Sequence, residues 1–486
     1  MKVLLLNGSP NEHGCTYTAL CEVARALEES GVETETLWIG NRAVRGCIGC
    51  GGCAKNGRRR CVFEDDLVNA ALKMAEGMGL ETCDVEGHIG YADLPGSTDG
   101  QIGIIGHMDV VPAGPGWTFE PYEVTRKDGY LIGRGVIDDK GPSVVALHAV
   151  KFWKDLQDAG VAERFPYTVR FLFGANEETG MADVAYYRER YADPLFLFTP
   201  DAEFPVCYGE KGLYDGFVTA PCSPAGRIVE LAGGVATNAV PGEAHAIVRA
   251  DAAELPVAER VTVTAEGEGL ARIAGAGRNA HASTPEAGVS AIGVVVDYLL
   301  ANGLCDDTER TFLEFEQRLI AHTDGSGLGI ACEDEHFGPL TAVGGTVRTQ
   351  DGCFVQSIDI RFPTAITADA ITEKIRAAAE AAGCTYRTGR EEEPFLMDPQ
   401  SPVIQALLSA YNEATGENAE TFTMGGGTYA RHFSNAASFG PEKSWEKMPE
   451  WVGSMHGPDE GVSEQLLKDA FRIYALTLGK LMKLEF

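Results

Sequence analysis

Five residues with the chemistry of metal ligands place the strongest constraint on how this chain can fold. They are His107, Asp138, Glu178, Asp201 and His456. They occur in the segments GHMDVVPAG, GRGVIDDKGP, NEETG, PDAEFP and SMHGPDE. Imidazole nitrogens and carboxylate oxygens of this kind form two-metal hydrolytic sites, so we expect the fold to bring these distant segments together around two divalent ions.

Several of these residues stand at the ends of apolar strand patterns. TVRFLFGANEE and LFLFTPDAE predict buried strands that end in acidic residues, and open α/β sheets place their ligands at such carboxyl ends. Each short pattern alone is more typical of a turn or a solvated face. An unpaired charge next to a buried strand would, however, cost several kcal/mol, and metal ligation removes that cost.

Two further acids predict supporting roles at the same site. His107 and Asp109 are two positions apart in a strand, so both should face one cleft, with Asp109 as the carboxylate partner of the imidazole. Glu177 and Glu178 are consecutive and should point in different directions. One of them can therefore bind a metal while the other, Glu177, remains available to move a proton.

The length of 486 residues predicts two or three domains rather than one core. The pattern changes near residue 208 to alternating strands with few clustered acids, and it returns to glycine-rich loops near residue 396. We therefore expect segments at 1–66, 67–207, 208–395 and 396–486, with 208–395 inserted between two parts of a catalytic domain.

Charge and cysteine usage exclude some classes of partner. A formal net charge of −31 opposes binding to nucleic acid or to an anionic membrane. The sequence contains no apolar run of the roughly 20 residues that a membrane helix needs. Most of the 13 cysteines are scattered singly, which favours a reducing compartment and predicts a cytoplasmic protein.

From about residue 67 onward the chain resembles the M20 family of metallopeptidases. The resemblance is strongest to the dipeptidase V or Xaa-His dipeptidase branch. It is carried by GHMDVVPAGPGW, RGVIDDKGP, NEETGMADVAYY, TPDAEFPVCYGEKG, NAVPGEA, DIRFP and GGGTYAR. It implies an α/β fold in which a zinc-peptidase catalytic domain, with a mixed sheet and flanking helices, carries an inserted α+β lid domain.

The same resemblance implies a role for each residue. One zinc ion would bind His107 and Asp201, the second would bind Glu178 and His456, and Asp138 would bridge the two. Glu177 would be the general base and Asp109 the partner of His107. The peptide bond after Asp138 would be cis.

In the predicted lid domain, the resemblance implies three substrate contacts and a monomer. His281, in RNAHASTPEAG, matches a histidine that stabilises the tetrahedral oxyanion. Asn238 and Arg361 match substrate-contacting positions, and Arg361 could clamp a peptide carboxylate. Without the resemblance, His281 reads as a turn residue and Arg361 as an ordinary strand-edge salt-bridge residue.

The first 66 residues resemble the start of NADPH-dependent FMN reductases and iron–sulfur flavoproteins. In NGSPNEHGCTYT, the hydroxyl groups of Ser9 and Thr16 could contact an FMN phosphate. Four cysteines with the spacing C-x2-C-x2-C-x7-C could hold a [4Fe–4S] cluster or zinc; they are Cys47, Cys50, Cys53 and Cys61. The segment is only a partial flavodoxin-like fold, with two strands where about five are needed, so we expect no stoichiometric FMN.

The expected function is therefore hydrolysis of short unblocked peptides, either of the Xaa-His type or of broad specificity, by a dizinc dipeptidase. Manganese and cobalt remain alternatives to zinc. Two other functions stay open. One is an N-acyl amino acid deacylase or carboxypeptidase with the same chemistry, and the other is a redox protein that uses the N-terminal segment.

Overall fold

The computed structural model describes residues 2–7, 24–25, 33–38, 67–223 and 225–486. These residues form two compact units. Unit 1 contains the described residues up to Tyr208 together with Met397–Phe422 and Thr428–Phe486. Unit 2 contains those of Gly209–Leu396 together with Thr423–Gly427.

The helices and strands are numbered in chain order. The α-helices are α1 (Leu67–Gly77), α2 (Lys140–Asp158), α3 (Ala182–Arg188), α4 (Ala291–Ala301), α5 (Asp307–Ala321), α6 (Ala368–Ala381), α7 (Pro402–Thr415) and α8 (Glu464–Leu481). The strands up to Thr219 are β1 (Lys2–Asn7), β2 (Glu33–Trp38), β3 (Glu81–Val85), β4 (Ile89–Leu94), β5 (Gln101–His107), β6 (Thr125–Lys127), β7 (Tyr130–Ile132), β8 (Thr168–Gly174), β9 (Phe196–Thr199), β10 (Cys207–Glu210) and β11 (Gly212–Thr219). The later strands are β12 (Ile228–Gly233), β13 (Ala239–Val240), β14 (Glu243–Arg249), β15 (Val261–Gly267), β16 (Leu270–Ala276), β17 (Ala280–His281), β18 (Glu333–Asp334), β19 (Gly338–Pro339), β20 (Thr341–Val343), β21 (Val347–Gln350), β22 (Cys353–Phe362), β23 (Thr385–Glu392), β24 (Phe395–Leu396), β25 (Phe422–Met424), β26 (Ala436–Ser438) and β27 (Gly461–Ser463).

The central sheet of unit 1 is mixed, which confirms the predicted fold class. Its strand order includes β26-β9-β5-β8-β4-β3. Strands β26, β9, β5 and β8 run parallel to one another, whereas β4 and β3 are antiparallel additions at one edge. The carboxyl ends of the four parallel strands therefore lie along the same edge of the sheet.

The parallel strands of unit 1 are apolar along nearly their whole length because helices cover the sheet. All residues of β9 are buried, and β5 and β8 are buried after their first residue. Helix α8 packs on α2 and α7. The indole Nε1 of Trp153 in α2 donates to the carbonyl oxygen of Ala475 in α8 at 2.8 Å. Continuous burial explains why these strands read as unbroken hydrophobic runs rather than as alternating patterns.

Unit 2 is an α+β unit built on an antiparallel sheet. The strand order includes β15-β16-β14-β12-β21-β22-β11-β23, with β20 also paired to β22. All of these neighbouring strands pair in antiparallel orientation. Side chains from α4, α5 and α6, including Val295, Phe312 and Ile371, form one buried core with the sheet residues. Helix α5 begins with a capping box in which Asp306 and Glu309 each accept a backbone hydrogen bond from the other.

A disulfide joins two cysteines of unit 2 that the sequence analysis treated as isolated. Cys222 and Cys353 are 131 positions apart in the sequence, but their Cα atoms are 4.3 Å apart. The amide of Ala220 donates to the carbonyl oxygen of Phe354 at 2.8 Å, which brings the two chain segments together. Long-range pairing of this kind leaves no local sequence pattern, so the spacing of the cysteines did not predict it.

Near the N-terminus, the structure describes the two predicted strands. Strands β1 and β2 pair in parallel, with Lys2 opposite Glu33 and Asn7 opposite Trp38. Between these strands, Ala24 and Arg25 are described, and both are helical. Among the described residues, no helix combines the length and the apolarity that crossing a membrane requires.

Candidate metal centre

Three adjacent parallel strands deliver four of the predicted site residues to one edge of the sheet. Strand β5 ends at His107, and β9 ends two residues before Asp201. Strand β8 ends three residues before Glu177, which Glu178 follows directly. Because β9, β5 and β8 are parallel neighbours, their carboxyl ends lie side by side. The topology therefore brings together residues that are far apart in the sequence.

Asp138 lies at the centre of this group, between two imidazole rings. Its Oδ1 is 2.8 Å from Nε2 of His107, and its Oδ2 is 2.7 Å from Nε2 of His456. Asp201 Oδ2 lies 3.7 Å from the same nitrogen of His107. Glu178 Oε1 lies 3.4 Å from that of His456. Each oxygen of Asp138 thus faces one histidine, and each histidine has a second carboxylate beside it.

The five predicted ligands and Glu177 therefore form one cluster of potential donor atoms. Ligand atoms of His107, Asp138 and Glu178 lie within 4.8 Å of one another, as do those of His107, Glu177 and Asp201. The expected cis peptide bond between Asp138 and Asp139 is present.

The orientation of His107 fits a metal ligand. Its Nδ1 lies 2.9 Å from the carbonyl oxygen of Asp109, which can only accept a hydrogen bond. The proton of a neutral imidazole therefore belongs on Nδ1, which leaves the lone pair on Nε2, the nitrogen that faces Asp138 and Asp201. Burial lowers the pKa of His107, but the nearby carboxylates of Asp109, Asp138 and Asp201 raise it, and the result lies well above the ordinary value.

The carboxylate of Asp109 has a contact that the sequence analysis did not predict. Its oxygens accept hydrogen bonds from the backbone amides of Glu177 at 3.3 Å and Glu178 at 3.2 Å. These amides open a short 3-10 turn, Glu177–Thr179, where unpaired N–H groups favour an anion. Asp109 Oδ1 is 3.5 Å from Nδ1 of His107, so the carboxylate links the imidazole to the turn that carries both glutamates.

Asp139 supports the site through the backbone of His107. Its Oδ2 accepts hydrogen bonds from the amide of His107 at 3.2 Å and from the hydroxyl of Ser143 at 2.8 Å. A Cβ at Gly106 would lie 1.8 Å from the Ser143 oxygen, so only glycine permits this close packing. Burial raises the pKa of Asp139 to about 7. Neither Gly106 nor Ser143 carries a sequence signal that points to this role.

A second buried contact fixes the segment before Glu177. The hydroxyl of Tyr429 donates to Asp183 Oδ2 at 2.6 Å, and the same oxygen accepts from the amide of Ala175 at 2.8 Å. The amide of Asn176 donates to the Tyr429 oxygen at 3.3 Å. Tyr429 lies in the motif GGGTYAR, which the sequence analysis quoted without giving the tyrosine a role.

The electrostatics of the cluster fit divalent cations. Burial is the largest cause that raises the pKa of Glu177 well above its usual range, and the charges of Glu178, Asp138 and Asp109 raise it further. Burial also raises the pKa of Asp201 well above its usual range, with Asp138 adding to the effect. Carboxylates packed this closely repel one another, and bound cations would remove both that repulsion and the cost of burial.

The predicted residues His281, Asn238 and Arg361 lie in unit 2, where a chain of backbone and side-chain contacts relates them. His281, at the end of β17, is exposed, and its Nδ1 lies 2.7 Å from the hydroxyl oxygen of Ser283. The next amide, that of Ala282, donates to the carbonyl oxygen of Asn238 at 3.0 Å. The hydroxyl of Thr341, opposite Arg361 in the β20–β22 register, donates to the carbonyl oxygen of Ala282 at 2.8 Å.

Arg361 is buried and already has a carboxylate partner. Its Nε and Nη2 donate to the two carboxylate oxygens of Asp359 at 2.8 and 3.1 Å. Arg361 therefore forms a salt bridge, as the sequence without the family resemblance would predict. A clamp on a substrate carboxylate would have to use the other edge of the guanidinium group, at Nη1, which lies 3.5 Å from the carbonyl oxygen of Gly425.

The predictions for Ser9, Thr16 and the four clustered cysteines, Cys47, Cys50, Cys53 and Cys61, fall outside the described residues.

Two family models and a curated relative match this chain. A family model described as peptidase family M20/M25/M40 matches residues 103–480, and one described as NADPH-dependent FMN reductase matches residues 1–80. The Bacillus subtilis protein named "Putative dipeptidase YtjP" is 30% identical over 434 residues, which cover 86% of this chain and 90% of that protein.

Solved structures show the same fold. Human carnosine dipeptidase 1 superposes with a TM-score of 0.54 at 14% identity, over 87% of this chain and 92% of that one. The metallo-carboxypeptidase Sso-CP2 of Sulfolobus solfataricus superposes with a TM-score of 0.53 at 16% identity, over 86% of this chain and 94% of that one.

Proposed function

Because the chain belongs to peptidase family M20/M25/M40, we propose that this metallopeptidase is a dizinc dipeptidase that hydrolyses short unblocked peptides. The observation that carries the proposal is the position of Asp138. One of its oxygens faces Nε2 of His107 and the other faces Nε2 of His456. A carboxylate with one oxygen directed at each of two imidazoles is what a ligand shared by two ions requires.

The remaining ligands divide into two sets around that carboxylate. Asp201 accompanies His107 and would hold the first ion, and Glu178 accompanies His456 and would hold the second. Two divalent ions and three ligand carboxylates together carry a small net positive charge. This charge lets the centre attract negatively charged groups. When bound, the ions would supply Lewis acidity and lower the pKa of water toward about 7.

We assign the proton transfer to Glu177. Its carboxylate lies within 4.8 Å of the ligand atoms of His107 and Asp201. Asp109 holds the turn that carries it through the two backbone amides. In the proposed mechanism, a carboxylate oxygen of Glu177 accepts a proton from the attacking water and then delivers it to the nitrogen of the leaving amine.

We further propose that unit 2 serves as the lid and contributes His281, Asn238 and Arg361 to substrate binding. The hydroxyl of Ser283 orients the imidazole of His281, which would donate a hydrogen bond to the oxyanion. Asp359 holds Arg361 in one orientation, so that the other edge of the guanidinium group would bind the peptide carboxylate.

The test is dipeptide hydrolysis by the metal-reconstituted full chain and by Glu177→Ala. The substrates are Ala-His, β-Ala-His and Leu-Leu, and metal content and the visible spectrum are recorded on the same samples. We expect about two metal ions per chain in both proteins and a loss of turnover of roughly 10²–10⁴-fold in the variant. Glu189→Ala, at an exposed position in unit 1, is the matched control and should retain activity.

The same assay separates the alternatives. Turnover of N-acetyl amino acids without turnover of dipeptides would assign a deacylase with the same site. An inactive protein with a flavin or iron–sulfur absorbance band would instead place the activity in the segment that matches the FMN reductase model. Full activity in Glu177→Ala would contradict the assignment of the general base.

A further inference from the structure

A fully buried ion pair in unit 1 forms hydrogen bonds with the backbone of the segments that carry Asp138 and His456. Arg134 Nη1 donates to Glu460 Oε2 at 2.5 Å. The two side chains are 1% and 0% exposed. Neither residue appears among the predicted ligands or catalytic groups, and the two are 326 positions apart in the sequence.

Glu460 fixes the segment that leads into Asp138. Its Oε1 accepts hydrogen bonds from the amides of Gly135 at 2.8 Å and Ile137 at 3.3 Å. The main-chain oxygen of Glu460 accepts a further hydrogen bond from the amide of Gly133 at 2.8 Å. The carboxylate therefore holds the backbone up to the residue before Asp138.

Arg134 fixes the loop that carries His456. Its Nη2 donates to the carbonyl oxygen of His456 at 3.1 Å. His456 has a φ of +60°, a left-handed conformation that a residue with a side chain adopts only when its surroundings hold it there. The hydrogen bond from Arg134 is a contact that can hold it.

Arg134 also reaches the loop that follows His107. Its Nη2 lies 3.3 Å from the carbonyl oxygen of Ala113, which accepts a second hydrogen bond from the indole of Trp117 at 2.7 Å. The guanidinium carbon lies 5.2 Å from the centre of the Trp117 ring. Arg134, in the segment that leads to Asp138, thus contacts both the loop that follows His107 and the loop that contains His456.

Stability alone does not explain this pair, because a buried ion pair contributes little net stability compared with apolar residues of similar volume. We propose that Arg134 and Glu460 are positioning residues that hold Asp138 and His456 in the geometry needed to bind two metal ions. The proposal rests on the metal ligands of the proposed function. It predicts that loss of the pair weakens metal binding more than it weakens the fold.

The experiment measures the affinity of the full-length chain for Zn²⁺ alone, by competition with a chromogenic chelator, together with Tm before and after Zn²⁺ loading. The variants are Arg134→Met, Glu460→Gln and Arg134→Lys. Glu460→Gln has nearly the same shape as the native residue and tests the proposal even if Arg134→Met does not fold. Arg134→Lys keeps the charge but loses the forked donor geometry, so it should recover only part of the affinity.

The matched control is another arginine–carboxylate pair of unit 1, in which Arg170 is buried and Asp93 is half-buried. Arg170 donates to both carboxylate oxygens of Asp93, at 2.8 and 2.6 Å, and stacks on Tyr91 with 3.8 Å between its guanidinium carbon and the ring centre. Arg170 lies four positions before the end of β8, away from the strand ends that carry the ligands. Arg170→Met should lower Tm of the metal-free and the Zn²⁺-loaded protein equally and leave Zn²⁺ affinity unchanged.

We expect Zn²⁺ affinity to fall roughly tenfold to a hundredfold in Arg134→Met and Glu460→Gln, with a smaller rise of Tm on Zn²⁺ loading. Unchanged affinity in both variants, or the same loss in Arg170→Met, would overturn the proposal and leave the proposed function intact. A wild-type chain that binds no Zn²⁺ would remove the proposed function and this inference with it.

Discussion

Glu316 in unit 2 should destabilise the protein, and its replacement by methionine should stabilise it. Helix α5 carries this residue into the core, where it is 0% exposed. Within the part of the chain that the structure describes, neither carboxylate oxygen has a hydrogen-bond partner. Burial raises the pKa of Glu316 well above its ordinary value of 4.5. Two causes raise the pKa of the Cys384 thiol to about 11: burial and, to a lesser extent, the charge of Glu316.

The magnitude follows from two contributions. A buried polar group without a partner costs about 1–3 kcal/mol, and methionine removes that cost while keeping an unbranched side chain. Ionisation adds a pH-dependent part. Above its ordinary pKa, Glu316 ionises in the unfolded chain but stays protonated in the folded one, so the unfolded state gains about 1.4 kcal/mol per pH unit until the folded pKa is reached.

The destabilisation that Glu316 causes must therefore increase with pH. The ionisation penalty is absent below about pH 4.5 and grows as the pH rises. We expect Glu316→Met to be more stable than the wild type by about 1–3 kcal/mol at pH 4 and by more at pH 6. Each kcal/mol corresponds to roughly 2–4 °C in Tm for a cooperative unit of about 150–250 residues.

The assay is urea unfolding of the full chain at several pH values between 4 and 7, with two control variants. Glu316→Gln should lose the pH dependence but keep the cost of an unpartnered polar group. Glu309 on the same helix is buried too, but its carboxylate accepts from the amides of Asp306, Arg227 and Ile228 at 2.7, 3.1 and 2.8 Å. Glu309→Met should therefore destabilise. A Glu316→Met variant no more stable than the wild type, or a stability difference that stays constant between pH 5 and 7, would refute the reasoning.

Two further predictions concern the proposed sites. Removal of metal by a chelator should abolish activity and lower Tm. A metal that binds only the folded state stabilises that state by about 2.7 kcal/mol when the free metal concentration is 100 times Kd. An equal Tm for stripped and Zn²⁺-reloaded protein would contradict the metal site. Arg361→Lys should raise KM for dipeptides with a free carboxylate and leave KM for their amides unchanged, because lysine lacks the second edge of the guanidinium fork. Asp359→Asn should shift KM in the same direction, and a matching rise for the amides would show that both residues act only on folding.

The elements that deliver the ligands were predictable because their signals are local. The apolar runs before Glu177 and Asp201 predicted buried strands, and the structure contains β8 and β9 there. Since ligands collect at the carboxyl ends of parallel strands, knowing the strands was enough to expect one cluster of acids.

The contacts that support the ligands were not predictable, because each joins segments that are far apart in the sequence. Asp109 was expected to serve His107 alone, but its carboxylate also accepts the amides of the turn after β8. That contact requires β5 and β8 to be paired, because Asp109 follows one strand and the turn follows the other. The burial of Glu316 was not predictable for a different reason. A charged residue on an amphipathic helix predicts a solvent-exposed position, and only the tertiary structure shows how deep the core of unit 2 is.

The ligand loops share a physical requirement that explains where unit 1 places its buried polar groups. A metal ligand on a loop must be held within about 0.5 Å of its position, and apolar packing at a strand end does not define a loop that closely. Asp139 holds the backbone of His107, Asp109 holds that of Glu177 and Glu178, and Glu460 holds that of the segment before Asp138. Each of these acids accepts at least one hydrogen bond from a backbone amide near a ligand, which lowers the cost of its burial. In unit 2, Glu316 has no such amides among the described residues, and for that reason its removal should stabilise the fold whereas removal of the unit 1 acids should weaken the site.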